Sequence, residues 1–464
     1  MQSMNMHSMN DVALSSAEQV RVTATRERET ALSRIVMLFI GTGLAFMLLP
    51  GTFLGVWNLL SISNKHAADS ISAAWIQAHG HAQVFGWIGT FILGIGFYSI
   101  PRVRNAQPFA LWEAWSCWAL WTVGVTARWA ASIYEWHWRS ILPISASLEL
   151  LAFLIFFRAV STHKPAGPSQ GRPKLEMWIL VVVAATLGLL GTLAANLGGC
   201  IWAAVHGSSP AFPQSFDQRF LVLMAWGFMV PFVWGFNARW LPTFLGIRTP
   251  CNRGLMMMLA LNFAGVTAAL SGAFRVAVIL LLVAAVLSNL VLRVQTRSLQ
   301  PAKTKGVHPA FPYFIRLAYV WLVVAAVLGV WAAFAANPDG IWGASRHALT
   351  VGFVSTMVFA VGQRILPAFG GMRLLYSPRL MGASLGVLTA GCLLRVSSEV
   401  LAYQGILQGA WKVLPVSAVT ELTAVTLFAV NMILTFRSQP PSARLVQIDW
   451  RTPPAGSAGN VVNL

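Results

Sequence analysis

Apolar runs of membrane-spanning length recur along the whole chain, and no other feature narrows its fold as much. A helix needs about 20 mainly apolar residues to cross the hydrocarbon core of a bilayer. Twelve such segments can be marked, near 35–61, 74–100, 109–133, 141–160, 177–203, 219–244, 254–272, 276–293, 313–335, 347–369, 380–402 and 412–436. The cut between the seventh and eighth rests on Ser271, Gly272 and Arg275 alone. Inside lipid every backbone polar group must be satisfied within its own segment. The pattern therefore predicts an all-α integral membrane protein. Composition agrees, with 56% hydrophobic and only 10% charged residues, where a soluble domain carries about 25% charged. Too few charges remain to cover a water-facing surface.

The 32 basic and 14 acidic residues give a formal charge of +18. In a soluble protein such an excess would suggest nucleic acid. Here the basic residues cluster between apolar runs, where they report topology and no nucleic-acid partner. One set of connections carries Arg102 and Arg104, then Lys164, Arg172 and Lys174, then Arg248 and Arg253, then Arg293, Arg297, Lys303 and Lys305, then Arg373 and Arg379. The alternate set is sparse in basic residues and carries His66, Glu135, His137, His206, Asp217 and Asp339. The first set belongs in the cytoplasm, which places both termini there. Residues 1–33 form a polar cytoplasmic segment with no apolar core and no small-residue cleavage site, so the first helix is expected to serve as the insertion signal. Residues 439–464, rich in Pro, Ser and Gly, are expected to be a disordered cytoplasmic tail.

The twelve segments are not independent. His81 to Pro101 reads HAQVFGWIGTFILGIGFYSIP, and His347 to Pro367 reads HALTVGFVSTMVFAVGQRILP. Both begin His-Ala, carry Gly-aromatic at one offset and end in Pro at the same distance from the histidine. In the sixth segment Gly227, Phe228 and Pro242 keep that spacing, with Val222 in the histidine's place. Segments two, six and ten thus match, which divides residues 34–438 into three four-helix units of about 34–160, 176–293 and 312–437. About 20 helical residues span one hydrocarbon thickness. The shared Pro at the cytoplasmic end places His81 and His347 near the outer face, at equivalent depths.

The histidines are the chemically distinctive residues. His7, His163 and His308 lie in cytoplasmic polar segments; His79, His81 and His347 lie within or at the edge of spans; His66, His137 and His206 lie in outer connections. Imidazole is the commonest side-chain ligand of transition metals and an axial ligand of haem iron. An ionisable residue inside a membrane segment is a functional position by default. His81 and His347 are the leading candidate iron or copper ligands, followed by His79, with His206 and His137 as weaker candidates from loops that can fold over the site. Residues two apart on a helix point about 200° apart, so His79 and His81 face different partners. Gly86, on the His79 stripe with Gln83, Thr90 and Gly94, offers a small surface for a flat macrocycle or a neighbouring helix. The four cysteines form no CxxC and no CxxCH, which excludes a zinc knuckle and covalent c-type haem; the expected cofactor is a non-covalent haem, of b-type, with copper as a candidate second metal. Arg395 and Glu399 are spaced to pair on one helix face. Glu113, Arg128, Glu149 and Glu421 are further embedded charges that need partners, as structural pairs or as proton or propionate contacts.

HGHAQVFGW and SRHALTVGFVSTM resemble the two most characteristic segments of the NnrS family, and RWLPTF and RILPAF resemble its Arg-x-x-Pro-x-Phe turns. The resemblance implies a twelve-span bacterial inner-membrane protein that contains haem and copper and takes part in nitric oxide metabolism or resistance to nitrosative stress. It also implies a small gaseous or nitrogen-oxide ligand and an electron donor as partners. The chain departs from the family pattern where Gly80, Ala82 and Gln83 replace alanine, glutamate and methionine, and where GQRILPAFGG lacks a histidine. The three-times-four arrangement also resembles haem-copper oxidases and nitric oxide reductases. The copper signature of those enzymes, His-Pro-Glu-Val-Tyr with a later His-His, is absent. Two other readings remain open in the sequence. One is a cofactor-free secondary transporter using intramembrane histidines, whose broken helices would be sought at Pro50-Gly51 and Val230-Pro231. The other is a structural or sensory membrane subunit.

Overall fold

The computed structural model describes residues 16–67, 70–103, 109–162, 176–338, 340–371 and 373–438. Within them lie twelve long helices and no strand. They are α1 (Thr25–Lys65), α2 (Ala73–Arg102), α3 (Leu111–Tyr134), α4 (Trp138–Ser161), α5 (Met177–His206), α6 (Gln214–Leu245), α7 (Asn252–Leu270), α8 (Phe274–Val291), α9 (Phe311–Phe334), α10 (Ile341–Phe369), α11 (Pro378–Tyr403) and α12 (Ala410–Arg437). Eleven are long and apolar enough to cross a membrane. The exception is α3, whose 24 residues include five tryptophans, Glu113 and Arg128.

Several boundaries differ from the sequence reading. The helix that carries the span α1 already begins at Ser16, ahead of the span's start at Thr25, so the boundary at residue 34 falls inside a helix. Helix α10 begins at Ile341, which puts His347 at the end of its second turn. Neither proline interruption breaks a helix. Pro50 lies in a π-wound stretch, Met47–Phe53. Pro231 lies in the first turn of the α-helical part of α6 that continues from a second such stretch, Leu223–Met229. His7, His163, Arg104, Lys164, Arg172, Lys174 and Asp339 fall outside the described residues, as does the tail 439–464.

The helices form a closed ring of pairs. In each unit the first helix packs on the second, α1 on α2, α5 on α6 and α9 on α10, and the third on the fourth, α3 on α4, α7 on α8 and α11 on α12. The units join through α4 on α5, α8 on α9 and α12 back on α1. Helices α2, α6 and α10 are the inner ones. The protein itself buries 67%, 61% and 72% of their most apolar stretches, against at most 50% in the other spans.

Glycines set the first-on-second contact in all three units. A Cβ at Gly86 would lie 2.9 Å from Cβ of Phe46 on α1, and one at Gly352 would lie 2.6 Å from the Trp321 ring on α9. In the middle unit the glycine is on the outer helix as well, and a Cβ at Gly188 would lie 1.9 Å from the Gly227 carbonyl oxygen. Small residues of this kind let membrane helices approach where no hydrophobic force drives them together.

Each inner helix carries a π-wound stretch at one register. These are Ala82–Gly89 after His81, Leu223–Met229 after Val222 and Ala348–Ser355 after His347. A π turn inserts a residue into the α ladder and redirects carbonyls sideways. Trp121 Nε1 donates to the Phe85 carbonyl at 3.1 Å and Asn262 Nδ2 to the Trp226 carbonyl at 2.7 Å. Phe85 and Trp226 each precede the shared glycine, so the two bonds occupy equivalent places in the first and second units.

Candidate functional site

The inner helices enclose a cavity of about 480 Å³, lined mainly by apolar side chains. His79, His81 and His347 all face it, at the end of the bundle that holds Gln214, Pro338 and Gly340. That end lies opposite the arginine-rich connections.

The three rings are held differently. His79 Nδ1 donates to the Gly51 carbonyl in the π-wound part of α1, at 2.9 Å. Gly55 makes room for the ring, since a Cβ there would lie 2.6 Å from its Cε1. His347 Nδ1 donates to the Gly343 carbonyl one turn back at 2.9 Å and lies 3.3 Å from Glu399 Oε2. In both rings Nδ1 is committed, so the neutral imidazole presents its Nε2 lone pair. Both rings line the same cavity. His81 has the opposite arrangement. Its Nε2 lies 2.8 Å from Glu149 Oε1, and its ring stacks on Phe85 with centroids 4.5 Å apart.

The bond to Glu149 opens a buried polar chain through four helices. Asn196 Nδ2 donates to Glu149 Oε2 at 3.2 Å. Cys200 Sγ sits 3.8 Å from Asn196 Oδ1, and Arg128 Nη1 donates to that sulfur at 2.8 Å. On the other side of the cavity Arg395 Nη2 lies 3.5 Å from Glu399 Oε2, the pairing that the four-residue spacing foreshadowed. Glu421 Oε1 is buried there with no hydrogen-bond partner.

In the sequence Glu149, Arg128 and Glu421 read as embedded charges in need of partners, with no pattern relating them. The structure shows them to be repeat positions. In each unit a glycine of the third helix would bring its Cβ against one side chain of the fourth: Gly124 against Glu149 at 2.9 Å, Gly265 against Leu281 at 2.8 Å and Gly391 against Glu421 at 2.8 Å. Four residues after the glycine stand Arg128, Ala269 and Arg395. The first and third units thus each hold a His, an Arg and a Glu, and the second holds Val222, Ala269 and Leu281 in their places. The sequence carries a signal for this in Leu-Pro-x-Ser-Ala-x-x-Glu-Leu, which occurs at 142–150 and again at 414–422.

The remaining candidates lie elsewhere. The Cβ side of Gly86 faces Phe46, so this glycine serves the α1–α2 contact. His206 is exposed and bonds its own helix at the Trp202 carbonyl, 3.3 Å away. His137 stands at the start of α4 with positive φ, beside the Trp136 ring. Neither lines the cavity. Glu113 caps its own helix by accepting from the Ala110 amide at 3.0 Å. Among the described residues, no three His, Cys, Asp or Glu side chains converge as a metal site.

The family model for NnrS protein matches residues 36–439. The chain belongs to the NnrS family. This match covers all twelve helices except the start of α1, and so extends the resemblance of the two histidine segments to the whole membrane domain. No curated protein matches this NnrS family member in sequence. Among solved structures it is similar to a heme-copper terminal oxidase dimer determined by cryo-EM, with a TM-score of 0.56 and 12% identity over 89% of this chain and 85% of that one. At that identity the similarity is one of fold, and function must be argued from the site.

Proposed function

We propose that the cavity holds one non-covalent, b-type haem between α2 and α10, and that the protein takes part in the nitric oxide response through it. The observation that carries this reading is the pair His79 and His347. Each ring is fixed through Nδ1 to a backbone carbonyl and keeps Nε2 for a ligand. Such outer bonds set the tautomer and orientation of a metal-binding imidazole. The cavity volume of about 480 Å³ falls in the range of about 300–1,000 Å³ usual for cofactor pockets. Haem needs only one or two axial side chains from the protein, which this site supplies. A separate copper ion prefers several imidazole or sulfur donors, which the described residues do not bring together, so the site fits haem and not a self-contained copper centre.

His347 and His79 would hold the iron, and His81 would stand beside the macrocycle with its proton shared with Glu149. Haem would supply redox chemistry and, where one of the two imidazoles gives way, the capacity to bind a diatomic ligand. The chain's own residues do the rest. They orient the two rings, keep lipid and bulk water out with an apolar wall, and hold a proton at the His81–Glu149 contact. The inner helices are π-wound but continuous, which favours this reading over a cofactor-free transporter built on broken helices. Family membership supports the link to nitric oxide and to a bacterial inner membrane with an electron donor.

The test is spectroscopic. Full-length protein expressed with haem supply is purified and reduced, and its absorption spectrum is recorded with and without nitric oxide. The expected result is a haem spectrum that changes on addition of nitric oxide. A well-folded, colourless protein would overturn the haem reading, and a haem spectrum indifferent to nitric oxide would overturn the nitric oxide role alone.

A further inference from the structure

Arg128 is 2% exposed, and its place in the repeat makes its surroundings informative. Its counterpart Arg395 has Glu399 one turn away, 3.5 Å off. At the position of Glu399 the first unit has Ser132, so Arg128 has lost that carboxylate. Among the described residues no carboxylate lies within 4.0 Å of Arg128. Its contacts are the Cys200 sulfur at 2.8 Å and the face of Phe212, 4.5 Å to the centroid, and its Nε has no partner. A guanidinium has five N–H donors to satisfy. A buried charge without a counter-charge is strongly unfavourable, and a membrane segment makes it rarer still. Arg128 also lines the cavity, as do Asn196, Gln218 and Asp217. Asp217 acts on it electrostatically but shares that action with Arg346. The second unit, which has Ala269 here, shows that the fold does not require an arginine at this position.

We propose that Arg128 is an anion station: its free guanidinium edge binds an anionic oxygen group of a ligand inside the cavity, either a free small oxyanion or the carboxylate arm of a bound macrocycle. The guanidinium fork matches the planar geometry of a carboxylate or a similar oxyanion. The ring of Phe212 and the sulfur of Cys200 hold the side chain in place without neutralising it, so the counter-charge comes from the occupant.

The experiment uses the full chain in detergent in two arms. In the first, cofactor-free protein is titrated with sodium nitrite and with sodium formate at constant ionic strength, and the shift of the thermal unfolding midpoint is read. In the second, haem and haem dimethyl ester, whose carboxylates are masked, are titrated against tryptophan fluorescence. The wild type is expected either to bind a free anion or to prefer haem over the diester at least tenfold. Arg128→Gln is expected to lose that binding or preference about tenfold, and Arg128→Lys to recover part of it. The arm that responds identifies the source of the anion. A wild type that binds neither anion and treats haem and diester alike overturns the proposal, even if the variants fail to fold. So does Arg128→Gln behaving as the wild type does. Haem binding without discrimination in either arm leaves the haem reading standing and removes the station; anion binding by a protein that takes up no haem does the reverse.

Discussion

At the scale of single residues, the site depends on glycines that make room and on polar atoms whose partners come from distant helices. Gly55→Ala would put a Cβ 2.6 Å from His79 Cε1, so the ring must turn away from the Gly51 carbonyl. With haem bound, this variant is expected to shift the Soret maximum while leaving helix content unchanged by circular dichroism. Glu149→Ala leaves His81 and Asn196 without their buried acceptor. Such a loss costs about 1–3 kcal/mol, expected as a lower unfolding midpoint that Glu149→Gln restores only in part, because the amide keeps one acceptor oxygen and turns the other into a donor. The sequence made His79, His81 and His347 legible because a histidine in an apolar run is conspicuous. The Arg395–Glu399 contact was legible because it is local. The His81–Glu149 contact joins residues 68 apart, and no local spacing encodes it. Nor does helical periodicity show that Nε2 of His81 is occupied while those of His79 and His347 are not.

At the scale of elements, the π-wound stretches do what regular α-helix would not. The inserted residue rotates the helix before it by about 100° relative to the helix after it. Deleting Val351 from Ala348–Ser355 is expected to restore regular winding and swing His347 out of the cavity. The readout is loss of haem binding with helix content retained; full haem binding by the deletion variant would contradict the role assigned to the winding. The close crossing of α5 and α6 makes a second prediction. Gly188→Val would force a side chain onto the Gly227 carbonyl, now 1.9 Å from a Cβ at Gly188. Overpacking of this kind costs about 1–3 kcal/mol or more, measurable as a lower unfolding midpoint in detergent. The helices themselves were legible from hydropathy, and α3 was legible from length despite its polar content. The π winding was not, because its cause is a shift in backbone register that leaves the apolar pattern intact.

At the scale of the molecule, three units close into a ring, of which the first and third keep a His–Arg–Glu set and the second has an apolar one. The histidine segments revealed the repeat in the inner helices alone. Its extension to the third and fourth helices needed the glycine contacts, which align Glu149, Leu281 and Glu421 across weak sequence similarity. The expected orientation can be read from the native cysteines. Cys251, between α6 and α7, is exposed, and Cys117, Cys200 and Cys392 are buried. A membrane-impermeant maleimide is expected to label Cys251 alone, in inverted vesicles and not in intact cells; labelling from the outside would reverse the assigned topology. The central claim is that one haem lies between α2 and α10, held by His79 and His347. Low-temperature electron paramagnetic resonance of the purified oxidised protein, with the absorption spectrum, tests it most directly. The predicted result is a low-spin signal of two imidazoles in the wild type and its loss in both His79→Ala and His347→Ala, with the signal retained in His81→Ala. A signal unchanged in the first two variants and abolished in the third would contradict it.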